Sequence, residues 1–454
     1  MALEHRVQRA FRKERTVRRR VDRTRKTHGK HAKGESTKLG ANASLADYLT
    51  YAALNAPALE AAFYRWKGAL EKIEQARALP DPVFSYTYYI RNVETRVGPQ
   101  RHKLTLSQRL PVTDKLSHRA AAAVHGAHVA QKRYEGVKAA LFFRLKKALL
   151  EYAYYSGRRT ILRAHLTLLR QLEKLIRTLY AVKRTNYAAV IKVQVELARL
   201  EDRYVSLQKL RPVLIAELNG LLNRKASTPL DPPKELRRPA ISVSLAALKK
   251  MVRVQNPQIL AARAEVAQKK AIHTVAQRAV FPDIVLKLGF IETGKARLDG
   301  VPGSGKDPVT ATIALRLPLW FGKYSAAVRE ASALRRRAVS RLEAVRIDLA
   351  IRLARAHFTY RDARRKFNLY RKTLIPKAEQ AFEATQSAFV TGKSSFMELL
   401  DATRSLLALQ LSAQRANRDE GVALARLELL VGRHLTAQAE KRLEKSKKTK
   451  GEPK

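Results

Sequence analysis

Four short stretches of the chain alternate apolar and polar residues with a period of two. In the first stretch Phe84, Tyr86, Tyr88 and Ile90 fall on one side, with Val83, Ser85, Thr87 and Tyr89 on the other. The second sets Leu104, Leu106 and Leu110 against Lys103, Thr105, Ser107 and Arg109. The third sets Ile284, Leu286, Leu288 and Phe290 against Val285, Lys287, Gly289 and Ile291. In the fourth, Val309, Ala311, Ile313, Leu315 and Leu317 oppose Thr310, Thr312, Ala314 and Arg316. This periodicity predicts strands with one apolar face and one mixed or polar face. No proline falls between Pro111 and Pro212, or between Pro318 and Pro376. Helices of about 60 residues there would reach roughly 90 Å and would have to pack side by side.

The chain reads twice. "LNAPALEAAFYRWKGALEKIEQARALPDPVFSYTYY" is echoed by "VQNPQILAARAEVAQKKAIHTVAQRAVFPDIVLKLGF", and Arg109-Leu110-Pro111 is answered by Arg316-Leu317-Pro318. Matched landmarks about 200 residues apart, in the same order, indicate an internal duplication. Each copy has one grammar: helix, strand pair, long helix, turn, helix. The expected organisation is a basic, disordered extension over 1–40, a first repeat over 41–225, a linker over 226–243, a second repeat over 244–436 and a basic disordered tail over 437–454.

Charge changes the picture of what the chain meets. Among 454 residues, 90 Lys and Arg against 39 Asp and Glu give a formal net charge of +51. Anionic partners therefore have to be considered: nucleic acid, lipid headgroups or lipopolysaccharide. With no Cys there is no disulfide framework, thiolate metal site or cysteine nucleophile. No run of about 18 apolar residues predicts a transmembrane helix, which leaves open a membrane β-barrel of short alternating strands. The N-terminal stretch lacks an apolar core and a small-residue cleavage site, so it does not read as a secretory signal as it stands.

Chemical motifs are few. "GVPGSGKDP" nearly matches the phosphate-cradling G-x-x-x-x-G-K-[ST] pattern, with Gly300, Gly305 and Lys306 in place and Asp307 where a hydroxyl is required. That pattern needs a helix opening directly after it. A strand pattern follows instead, so the run is expected to be a flexible hairpin loop. The eleven His residues are dispersed, and His102 and His118 lack ligand spacing. No metal site, cofactor site or catalytic set is expected. Trp66, Tyr64 and Phe63 read as helix packing, whereas Tyr86, Tyr88, Tyr89 and Trp320 fit an interfacial aromatic belt.

Four strands cannot close a barrel, but three chains would supply twelve. At this point the sequence resembles the TolC-like outer-membrane efflux channel family over roughly residues 44–436. The most specific stretch is "FVTGKSSFMELLDATRSLLALQ", with an aromatic-x-x-Gly turn at Phe389 and Gly392 followed by Glu398, Asp401 and Ala402. "ARLELLVGRHL", with Leu427, Glu428 and Gly432, resembles the family's last helix. The resemblance implies a mainly α fold with a β-barrel part. Specifically, it implies a homotrimeric, 12-stranded transmembrane barrel in outer-membrane lipid, continued by a long α-helical barrel in the periplasm. It also implies a periplasmic adaptor and an inner-membrane pump as partners, export of drugs, metals, organic acids or polypeptides, and no covalent chemistry. Nucleic acid is not an expected partner.

Glu398 and Asp401 are three apart and share a helix face. Under threefold symmetry they would form stacked carboxylate rings, attracting cations and raising one another's pKa. The alternative is that they complement a helix dipole. The matching turn in the first copy contains Lys183, Arg184 and Asn186, the last expected to supply the left-handed residue where Gly is usual, and presents Lys192 where an acid is common. With Phe389 in place of Tyr, a hydroxyl latch is absent. The gate is therefore read at Glu398, Asp401 and Lys192, and the hairpin turns and adaptor contact at Lys183, Arg184, Asn186, Phe389, Gly392 and Lys393. The rival reading from another class is a soluble basic coiled-coil protein that binds nucleic acid or anionic lipid. It accounts for the charge, but not for duplicated strands.

Overall fold

The computed structural model describes residues 2–27, 39, 43–111, 114–230, 241 and 243–435. The duplication is visible element by element. In the first repeat α2 (Leu45–Asn55) and α3 (Pro57–Arg77) lead into β1 (Val83–Thr95), β2 (Gly98–Leu110), α4 (Lys115–Ala181) and α5 (Tyr187–Leu221). In the second, α6 (Leu245–Gln255) and α7 (Pro257–Arg278) lead into β3 (Asp283–Thr293) and β4 (Val309–Arg316). Then follow α8 (Phe321–Leu369), a π turn at Tyr370–Leu374, α9 (Ile375–Val390) and α10 (Phe396–Val431). Both repeats open with a serine N-cap, Ser44 and Ser244, and break the helix before a proline that starts the next one.

Residues form two compact units, and each unit draws on both repeats, so the duplication does not correspond to two separate domains. One unit contains the sheet with the adjoining ends of α3, α4, α7 and α8. The strands are antiparallel in the order β1-β2-β3-β4, which joins the two repeats through the β2–β3 pairing and leaves β1 and β4 as edges. The other unit is helical. Its core is built from Leu145, Leu149, Leu162 and Leu172 of α4, Val193 and Leu200 of α5, Leu399 and Leu407 of α10, and Tyr48 of α2.

Two expectations about order are corrected. Residues 2–27, read as a disordered extension, form a helix, α1 (Ala2–Thr27). The physical reason is an apolar stripe within the basic run: Val7 and Phe11 are buried, Phe11 stacks on Phe63 at 5.1 Å and meets Trp66 edge-on at 5.3 Å, and Glu4 pairs with Arg77. Residues 28–38, most of the linker and the tail lie outside the described residues. Second, Pro376 does not end the long helix. The π turn just before it loosens the backbone ladder by one residue, and the helix continues from Phe321 to Val390.

No helix among the described residues is long and apolar enough to cross a membrane.

Candidate channel wall and hairpin tips

Register across the sheet sorts its residues into two continuous faces. Tyr86 stands opposite Leu104, Leu104 opposite Phe290, and Phe290 opposite Val309. Neighbouring rows contain Phe84, Leu106, Leu288 and Ala311, then Gln108, Leu286 and Ile313, then Leu110, Ile284 and Leu315. Much of this face is uncovered, with Ile313 74% exposed and Phe84, Tyr86, Tyr88, Leu288 and Leu315 more than half exposed. The opposite face carries Ser85, Thr105, Gly289 and Thr310 in one row and Ser107, Lys287 and Thr312 in the next, with Lys103 and Arg316 further out. An apolar face opposed to a hydrophilic one, on strands of 8–13 residues, is the pattern of a wall between lipid and water.

Polar and aromatic groups collect at both ends of the apolar face. Tyr86 Oη lies 2.7 Å from His102 Nδ1, the Tyr88 ring is 5.2 Å from that imidazole, and Glu292 comes within 3.9 Å of it. Past the end of β4, Leu319, Trp320 and Phe321 project outward, with Trp320 78% exposed. Tyr89 alternates onto the other face and so leaves the expected belt.

One group of residues was not anticipated. Asp283 is buried at the start of β3, where its carboxylate accepts from Arg109 Nε at 2.9 Å and from Lys115 Nζ at 2.7 Å. Lys115 also donates to the Phe281 carbonyl, so β2, β3 and the first residue of α4 are locked together. The sequence signal was available in the polar residue that opens β3 after Pro282, but its partners lie more than 160 residues away.

The Gly-rich run is a β3–β4 loop, with Gly300, Gly303 and Gly305 all at positive φ. Asp307 Oδ1 accepts from the Thr293 N–H at 2.7 Å, closing the loop, which is the physical role of the carboxylate that broke the nucleotide pattern. The loop is more anchored than expected. Gly305 N–H donates to the Val97 carbonyl and Gly294 N–H to the Pro99 carbonyl, both at 2.8 Å, which ties it to the β1–β2 turn.

The two helical hairpins turn with the same geometry, 209 residues apart. Lys183 and Gly392 occupy the left-handed position with φ of 57° and 78°, and Arg184 and Lys393 donate back to Leu179 and Ala388 at 2.8 Å. The expectation for Asn186 is therefore corrected. It is extended at φ −95° and caps α5 by accepting from Ala189 N–H, while Lys183 takes the left-handed strain. Ser395 does the same for α10 in a capping box: Glu398 N–H donates to Ser395 Oγ, and the Glu398 carboxylate accepts from Ser395 N–H at 3.1 Å. Hydrogen bonds from the Ser394 hydroxyl and from Ser395 N–H hold the Glu398 carboxyl below its ordinary range within the protomer.

Asp401 is differently placed, with its side chain 68% exposed and only Arg404 nearby at 3.8 Å. Arg404 is itself held by Glu196 of α5 at 2.6 Å. Lys192, the counterpart of Asp401 in the first hairpin, reaches the Met397 sulfur at 3.3 Å. Between the turns lies a cavity of about 380 Å³ bordered by Arg184, Asn186, Lys192, Gly392, Ser395 and Met397, with Phe389 on its wall. No carboxylate lines it. Among the described residues there is also no cluster of His, Asp and Glu able to hold a metal ion.

A half-lipophilic antiparallel sheet joined to long paired helices defines the fold of this chain. Solved structures share the fold. The outer membrane protein VceC from Vibrio cholerae superposes with a TM-score of 0.71 at 19% identity, over 86% of this chain and 96% of that one. The open-state MtrE outer membrane channel of Neisseria gonorrhoeae gives 0.70 at 18% identity, over 86% and 89%. The family profile described as "Outer membrane efflux protein" matches residues 248–433. That match lies within the second repeat and covers less than half of the chain. A curated relative, the cobalt-zinc-cadmium resistance protein CzcC of Cupriavidus metallidurans, is 28% identical over 154 residues, 33% of this chain. The match spans about a third of that relative's length (34%).

Proposed function

We propose that this chain is the outer-membrane channel subunit of a tripartite efflux or type I secretion assembly. Three copies close a twelve-stranded barrel, and their helices continue as a periplasmic tunnel through which cargo leaves the cell. The observation that carries this reading is the sheet: an exposed apolar face, a hydrophilic face behind it, and two open edges at β1 and β4. A single copy would leave both edges unpaired and the apolar face in water. Edge-to-edge closure among three copies pairs the edges, and insertion in lipid takes the apolar face out of water.

The hairpin tips then serve as the gate and the docking site. Asp401, beside Arg404, and Lys192, beside Met397, are the charges on the second turns of α10 and α5, and Glu398 holds the α10 turn in shape. The cavity between the turns, lined by Arg184 and Lys192, with Lys183 and Lys393 on the same two turns, receives the tip of a periplasmic adaptor, and an inner-membrane pump completes the path. The relative's name brings cobalt, zinc and cadmium resistance as one cargo class, alongside organic molecules and polypeptides.

Expression of the full-length chain in a Gram-negative host, followed by membrane fractionation and native mass determination in detergent, tests this. The expected species is an outer-membrane trimer of three times 51.2 kDa. A monodisperse monomer that needs no detergent would overturn the reading.

A further inference from the structure

We propose that the barrel lumen is an anion pathway, which among the cargo classes named above favours species that are anionic at neutral pH: small carboxylates, phosphate esters or anionic complexes, including metals carried as anionic complexes rather than as free cations. The inference rests on the channel reading, because it takes the hydrophilic face of the sheet as the lumen wall.

That face carries three cations without an acidic partner among the described residues, and they stand at three levels. Lys103 pairs in register with Ile291, Lys287 with Ser107, and Arg316 with Asp283. Along β3 these levels fall at positions 291, 287 and 283, four residues apart, which is about 13–14 Å at strand rise. Each level contributes one cation per protomer and hence three per trimer. The lumen wall therefore carries three stacked rings of positive charge from one end of the sheet to the other. At physiological salt a charge acts over about 8 Å, so each ring governs its own level and together they leave little of the path uncovered.

Neighbouring groups act in the same direction. Ser85, Thr105 and Thr310 share the row between Lys103 and Lys287, and Ser107 and Thr312 flank Lys287, which supplies hydroxyl donors along the path. Gly289 sits between Thr105 and Thr310 and adds no bulk there. The one carboxylate of the paired face, Asp283, is occupied by Arg109 and Lys115 together, which leaves a positive sum. A concavity of about 410 Å³ on this face is bordered by Ser107, Arg109, Lys287 and Arg316, with Asp81 the single acid on its rim. Multiple moderate sites at successive heights suit conduction, since an anion is attracted into the barrel yet not held at any one level. Among the described residues the opposite face has no such series: its pair of His102 and Glu292 lies at one end.

Reversal potentials in planar bilayers under a KCl gradient test the proposal on the full-length trimer. The expected result is a preference for chloride over potassium in the native protein. In Lys103→Gln/Lys287→Gln/Arg316→Gln that preference should fall several-fold, and the Glu versions should reverse its sign. Lys103→Arg and Lys287→Arg should retain it. Each single Gln variant should give a partial shift, which keeps the test informative if a multiple variant assembles poorly. A conducting native trimer that prefers cations, or one whose anion preference is indifferent to these substitutions, overturns the anion pathway and leaves the channel reading standing. A folded trimer that never conducts, even with the hairpin tips opened by Lys192→Asp, overturns both.

Discussion

Glu428, near the end of α10, is a carboxylate inside the protein whose partners all come from residues that read as unremarkable. It pairs with Lys146 of α4, accepts from the Leu435 N–H at 3.0 Å and lies 3.6 Å from His434. Burial opposes its ionisation, but the neighbouring His434 ring, the Lys146 charge and the Leu435 N–H outweigh it and hold the carboxyl below the ordinary 4.5. A depressed carboxyl contributes stability that is fully present above its unfolded value and is lost as pH falls through its folded value. Glu428→Gln should therefore lower thermal stability at pH 7, by about 3–5 kcal/mol if Lys146 is left buried without a counter-charge. The gap from the native protein should narrow below pH 4.5, as melting curves of the detergent-solubilised trimer at pH 7 and pH 4 would record. At this scale the sequence was only partly legible. The spacing of Glu398 and Asp401 was plain, but whether each carboxylate faces outward depends on capping bonds: Ser394 and Ser395 claim Glu398, and nothing comparable claims Asp401. Lys183 was misjudged because local propensity favours Asn for left-handed backbone, whereas capping α5 needed the Asn186 side chain three residues later.

At the scale of elements, glycines at the two contacts of α10 behave in opposite ways. Gly432 ends the helix at φ 82°, and a Cβ there would come within 2.9 Å of Pro257 Cδ and 3.0 Å of the Gln255 carbonyl. Asn256 meets the same helix end, donating to the Leu430 carbonyl at 2.7 Å while its Oδ1 accepts from Gln258 and Ile259 N–H to cap α7. Gly432→Ala should cost about 1–2 kcal/mol from left-handed strain alone, with the backbone clash added. Gly157 of α4 instead faces the Gln414 side-chain amide of α10, 2.7 Å from a Cβ, and a flexible amide can move aside. Gly157→Ala is expected to be near neutral, since the helix-propensity gain of about 0.5–1 kcal/mol offsets that shift. Differential scanning of the two variants side by side would separate a helix stop from a helix crossing. Strands, turns and repeat order were readable in advance because period-two alternation and matched prolines are local signals. Helix α1 and the run through Pro376 were not. In the first, packing of Phe11 on Phe63 and Trp66 overrides composition, and in the second a π turn absorbs the proline.

For the whole molecule, the duplication has an electrostatic consequence at the hairpin tips. An offset of 209 residues relates the two hairpin turns, so Lys192 on α5 stands where Asp401 stands on α10. In a trimer with the hairpins alternating around the axis, these positions would form one ring of alternating cations and anions rather than a purely acidic ring. Neighbours of opposite sign attract, which favours tips held together, and no two carboxylates of the ring stand side by side. Because Glu398 is engaged in its capping box, Asp401→Asn alone should account for most of the change in divalent-cation block produced by Glu398→Gln/Asp401→Asn. Lys192→Asp is the sharper variant. It leaves six acids on the ring, so the tips should repel, and single-channel conductance should rise well above that of the native trimer. Lys192→Asp/Asp401→Lys restores alternation with the signs exchanged and should return conductance toward the closed level. Low salt should widen the difference between the two variants, because screening is weaker there. If the double exchange conducts like Lys192→Asp, the attraction between these positions does not hold the mouth shut, and closure depends on packing of the apolar tip residues Phe389, Phe396 and Met397.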